Sequence, residues 1–210
     1  MEETSSSAEL VVVIRAVVFA GHDVVFAGEQ DRRHKFGVRL LRVLGCGLSL
    51  TEPCAQHAML LWTLAVGAAG RRWDMGACVA CLMVSAKMHE LGGGFGLRRF
   101  ENACVKVFQS REQTQRALEW TLQQDTVSGH FRYLACALRL FECVDLTREV
   151  AAVSRETLKH AELHVLFTLF PGQWYHYFIE LYEYLFAKTA GLSADARMHV
   201  ALSVCGIEDA

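Results

Sequence analysis

The chain has 210 residues, 52% of them apolar and 21% charged, with a formal net charge of −2 and two prolines. That length can bury a sizeable core, and the near-neutral charge lacks the basic excess that drives counterion-release binding to nucleic acid. Proline is disfavoured inside helices, so its scarcity beside abundant Ala and Leu predicts an all-α chain.

Residues 9–28 (ELVVVIRAVVFAGHDVVFAG) are strongly apolar. They do not read as a signal peptide, because Glu2 and Glu3 stand where a basic n-region belongs. Arg15, His22 and Asp23 near the middle argue against a membrane span. An apolar N-terminal extension, residues 1–33, is expected to pack on the body or on a partner.

Phe36, Leu40, Leu41, Val43 and Leu44 fall near helical spacing over 36–48, and Gly45 and Gly47 are expected to end that run. Thr51 suits an N-cap and Pro53 a first turn, for a helix running through 55–66 to Gly67. Asp74 suits the next N-cap. Residues 75–86 (MGACVACLMVSA) are apolar or small on every face, which predicts a helix in the middle of a bundle. Its Gly76, Ala77, Ala80 and Ala86 would let neighbouring helices approach closely. It ends on Lys87, Met88, His89 and Glu90. GGGFG at 92–96 follows a helix rather than a strand, so it reads as a loop and not a phosphate cradle. Helices are expected at 98–108 and 110–124, then a break at 125–129. A second set is expected at 130–142, 147–165, 172–189 and 194–204.

The chemical constellations favour structural readings. Eight cysteines lie at 46, 54, 78, 81, 104, 136, 143 and 205, several inside apolar helical runs, and read as reduced core thiols of an intracellular protein. Cys78 and Cys81 form a C-x-x-C with no second pair to complete a zinc site. His160 and His164 share a helical face, but Ala161 stands where a metalloprotease needs its glutamate, with Glu162 one place on. Trp174, Tyr175, Tyr177, Phe178, Tyr182, Tyr184 and Phe186 crowd one stretch and read as core plus a partner-facing stripe. No catalytic signature stands out, and no cofactor or metal is implied. Lys87, at the end of a wholly apolar helix, has two readings. It complements the helix dipole and snorkels to water, or it is a rigidly held donor for a partner's carbonyl groups.

Taken together, these segments resemble the cyclins. Gly45-Cys46-Gly47-Leu48-Ser49-Leu50 is similar to the turn of the first cyclin box, and Gly76 to Glu90 resembles its buried Ala-rich helix ending in a Lys-x-Glu-Glu-like sequence. Arg98-Arg99-Phe100 and Val107-Phe108 look like the segment after it. Leu118 to Asp125 and His130-Phe131-Arg132-Tyr133-Leu134 resemble the end of the fifth helix and the start of a second box. Ser154 to Pro171 looks like the second helix of that second box and the proline after it. The resemblance covers roughly residues 36–190, and Leu41 to Cys46 with the arginine pair leans toward the transcription and RNA-processing cyclins, L-type above all.

The resemblance implies two consecutive cyclin-box bundles, 34–126 and 127–210, the second short of its last helix. It implies a non-catalytic subunit that binds and activates a cyclin-dependent kinase in transcription or splicing, nuclear or otherwise cytoplasmic. The 74–90 and 110–124 helices would form the contact. Lys87 would donate to the kinase, positioned by Gln115 or Glu112, with Glu90 beside it and Met83 and Leu118 supplying apolar contact. A third subunit could cover the apolar N-terminus or complete the second box. Neither nucleic acid nor membrane is an expected partner. There are departures. Gln115 aligns with the family's glutamate, so the charge is lost there; Phe131 replaces a proline; His89 precedes Glu90. The lost glutamate favours a rival, a cyclin-fold adaptor or transcription-factor-like scaffold without a kinase. A third class is a helical metal protein built on His160 and His164.

Overall fold

A computed structural model describes residues 3–19, 26–67, 73–89, 96–109, 115–116, 137–169, 183 and 187–207. Eight helices are described: α1 (Glu3–Val18), α2 (Gly28–Gly47), α3 (Glu52–Gly67), α4 (Met75–Met88), α5 (Leu97–Gln109), α6 (Val144–Ala151), α7 (Arg155–Leu169) and α8 (Ala194–Val204). No strand occurs among the described residues, so the all-α expectation holds. No described helix is long and apolar enough to cross a membrane.

The centre of the bundle is α4, as its composition requires. Every residue from Met75 to Ala86 is buried. A helix apolar on all sides is stable only when other elements cover each face, and α4 is covered by α2, α3, α6 and α7. Asp74 caps it, its Oδ1 accepting from the Ala77 N–H at 2.8 Å. Glu149 of α6 adds a second acceptor at the same end, taking the Met75 N–H at 3.0 Å. The same carboxylate pairs with Arg33 of α2 at 3.0 Å, which ties three helices at one point. Small residues do permit close approach: a Cβ on Gly76 would lie 3.1 Å from the Thr157 methyl of α7.

Two boundaries differ from the sequence reading. The helix expected from 36 begins at Gly28, because Glu29, Asp31, Arg32, Arg33 and Lys35 make ion pairs along and beyond its first turns. Its end is set by Ser49 at φ 56°, with the Leu50 N–H donating to Gly45 O at 2.9 Å, a Schellman-type close. The single helix expected over 147–165 is two. It breaks at Ala152–Ser154, where the Ser154 hydroxyl accepts from the Thr157 N–H at 3.2 Å and starts α7. Serine competes with the backbone for such bonds and so favours a cap over a helix interior.

The N-terminal α1 packs on α8, the last helix. Arg15 clasps the two together, donating to Val204 O at 3.0 Å. Buried residues from Ile14 to Ile207 form one continuous cluster, and it joins residues of 34–126 to residues of 127–210. The expected helix at 110–124 lies outside the described residues apart from 115–116. So do most of 172–189, with its aromatic stripe, and Cys136.

Candidate functional site

The C-terminal end of α4 carries the candidate site. Lys87 lies in the last turn, where a cation complements the negative end of the helix dipole. Its Nζ forms an ion pair with Glu162 Oε1 of α7. The two ends of this pair face different surroundings: the lysine side chain is 56% exposed and the glutamate 14%. Glu162 is thus the seated member, and Lys87 presents the accessible charge.

Glu162 comes to Lys87 through the packing of α7. Leu158, Ala161 and Val165 are the buried face of that helix. Glu162 is four residues after Leu158 and three before Val165, so it shares their side of the helix at its edge. Core burial therefore fixes the direction of the carboxylate. At its N-terminus α7 is held by Glu101 of α5, which pairs with Arg155 at 3.1 Å and accepts the Arg155 N–H at 3.3 Å.

On the outer side of α7, Leu163 is 46% and Phe167 78% exposed. They are spaced i,i+4, so they lie on one face.

The helix end is fixed from a second direction by two histidines. His57 Nδ1 of α3 and His89 Nε2 at the α4 C-cap are 3.2 Å apart, with the rings edge to face. Burial depresses both, His57 to about 3. Neutral imidazoles pair by one ring N–H donating to the other's lone pair. His89 also donates its backbone N–H to Ser85 O at 3.0 Å.

The residues expected to serve the site fall differently. Lys87 is where the sequence placed it. Met83 is 1% exposed in the core and offers no surface for a partner. Gln115 is exposed on a short helical piece, and the Lys87 ion pair goes to Glu162 instead. Glu90, Glu112 and Leu118 lie outside the described residues. In the sequence Glu162 stands out only as a neighbour of His160 and His164. The available signal was its register with Leu158 and Val165.

The other constellations resolve into structure. Cys78 and Cys81 are fully buried, and the Cys78 thiol donates weakly to Gly37 O at 3.6 Å. Burial raises both thiols, against the acidity that redox chemistry needs. The seven described cysteines are free thiols. His160 and His164 are both exposed, and His164 packs on the Trp73 ring with centroids 4.7 Å apart. No group of three or more His, Cys, Asp or Glu among the described residues could hold a metal ion.

Compared with known protein families, with curated proteins and with solved structures, the chain finds no match.

Proposed function

We propose that this protein is a cyclin-like regulatory subunit that binds and activates a cyclin-dependent protein kinase, acting in the nucleus in transcription or RNA processing. The observation that carries the reading is the Lys87–Glu162 pair at the end of the buried helix α4. The resemblance implies a lysine at this helix end, positioned by a glutamate of the fifth helix, the place that Gln115 holds here. Gln115 left that glutamate missing, and its loss favoured an adaptor without a kinase. Glu162 offers an acidic partner from α7, which supports the kinase reading.

The finer architecture we propose follows from the same pair. One cyclin-type box runs over α2 to α5 and is closed by α7, in place of the two boxes divided at 126 and 127. In that arrangement α7 takes the part expected of the fifth helix, and the cluster shared by α4 and α7 is the core of the box. Leu163 and Phe167 then provide the apolar contact that the sequence reading had assigned to Met83 and Leu118. Interfaces draw most of their affinity from a few such anchors.

The mechanism is a population shift. Phosphoryl transfer by a protein kinase needs its strand lysine paired with a glutamate on the kinase C-helix. A rigid surface that binds the inward position of that helix better than the outward one shifts the equilibrium by its differential affinity. Lys87, seated on Glu162, donates to carbonyl groups at the kinase helix, and the α7 face covers its apolar side.

Affinity purification of the full chain from native extract, read by mass spectrometry, tests this. A protein kinase at near-equal abundance, lost from Lys87→Glu and from Phe167→Asp, is the expected result. Repeated purification without a kinase would favour the adaptor.

A further inference from the structure

A cavity of about 200 Å³ lies between α1, α2, α3 and the turn after α8, away from the Lys87 helix end. Phe19 and Phe26 line it with aromatic surface, and Thr63 contributes to its α3 wall. Three charged side chains also line it, and they are unequal. Asp31 and Lys35 pair with each other at 2.9 Å, so their charges cancel. Arg15 has no carboxylate partner among the described residues. Its Nη1 donates to Val204 O at 3.0 Å and Ser203 O at 3.5 Å, and its guanidinium lies 5.5 Å from the Phe19 ring centre. Those bonds use one nitrogen of a planar fork that suits a carboxylate at two points. Nε and Nη2 make no hydrogen bond among the described residues. The helix end that Arg15 touches carries about half a negative charge, which leaves the cavity wall net positive.

Size sets the body of the ligand. An apolar cavity of about 150 Å³ accepts benzene. The present one is larger by roughly the volume of a carboxyl group. We propose that this cavity binds a small aromatic carboxylate, with its ring against Phe19 and Phe26 and its carboxylate on the open edge of Arg15. Such a ligand would bridge the first and last described helices through the residue that already clasps them. The proposal stands independently of the kinase reading.

The probe is 4-fluorobenzoate, titrated into the full chain and followed by fluorine NMR and thermal unfolding. 4-Fluorobenzyl alcohol is the neutral control. We expect saturable binding of the acid below about 1 mM, a rise in Tm with acid concentration, and at least about tenfold weaker binding of the alcohol. Arg15→Gln should remove the preference for the acid. Because Arg15 also holds α8, Phe26→Ala is the second variant, and it should weaken both probes while leaving the helical circular dichroism unchanged. No saturable binding overturns the proposal. So does equal affinity for acid and alcohol, and so does undiminished binding by Phe26→Ala.

Discussion

The Lys87–Glu162 pair allows its structural role and its proposed recognition role to be separated by a charge swap. Two unit charges about 4 Å apart attract by about 4 kcal/mol at the effective dielectric of a protein surface. The lysine side chain is 56% exposed, so solvent screens much of that attraction. Measured values for exposed pairs run to about 1 kcal/mol. Lys87→Glu loses the attraction and adds a repulsion of similar size, a destabilisation of about 2 kcal/mol. For a chain of this length that lowers Tm by roughly 4–8 °C. Glu162→Lys brings two lysines together and should cost a similar amount. The double variant restores an ion pair in reverse and should recover most of the loss, giving a coupling of about 3 kcal/mol in the double-mutant cycle. Thermal unfolding of the four proteins measures this, and kinase co-purification is scored on the same four. The swap should restore Tm but not kinase capture, since the accessible cation has left position 87. Additive Tm values would sink the ion pair itself. Capture restored along with stability would reduce Lys87 to a structural residue.

Other consequences are direct. Gly37 lies against Trp62, where an added Cβ would come within 2.5 Å of Cε2, and Trp62 is fully buried with its Nε1 donating to His34 O at 3.2 Å. Overpacking of about 1–3 kcal/mol and a strained buried hydrogen bond outweigh the roughly 1 kcal/mol that alanine gains over glycine in a helix. Gly37→Ala should therefore lower the urea midpoint, whereas Gly47→Ala, with nothing within 4 Å, should leave it unchanged or raise it. Burial depresses His34 to about 4 and His57 to about 3, so at pH 5 the unfolded chain takes up protons that the folded chain refuses. Stability is full above about pH 6.5 and falls as pH drops toward the folded values, by about 2 kcal/mol per histidine between pH 6.5 and 5. A urea midpoint that stays flat from pH 7 to 5 would contradict this. Among the described thiols, Cys46 is exposed while Cys54, Cys78, Cys81, Cys104 and Cys205 are buried. Cys46→Ser should abolish the fastest phase of native thiol labelling, and labelling that proceeds equally at all sites would contradict the burial.

Periodicity made the central helix legible, because Met75 to Ala86 lack any polar face and Asp74 could only be a cap. It could not show which helix supplies the partner for Lys87. Glu112 and Gln115 are the near candidates in the sequence, but the ion pair spans 75 residues. Only the packing of Leu158 and Val165 aims Glu162 at it. Continuous helical spacing also hid the break at Ser154, where a local hydroxyl bond outcompetes the backbone. Met83 illustrates a further limit: an apolar residue on an apolar helix reads equally as core or as contact until its surroundings are known.

The Arg15 clasp has a consequence for biogenesis. The carbonyl that Arg15 needs lies 189 residues further along the chain. Translation at roughly 5–20 residues per second leaves α1 waiting about 10–40 s for its counterpart. During that interval Ile14 and its apolar neighbours have no final resting place, and the nascent chain presents a sticky helix to whatever lies near the ribosome. A chaperone that shields this segment during synthesis would act on the protein before its last helix exists.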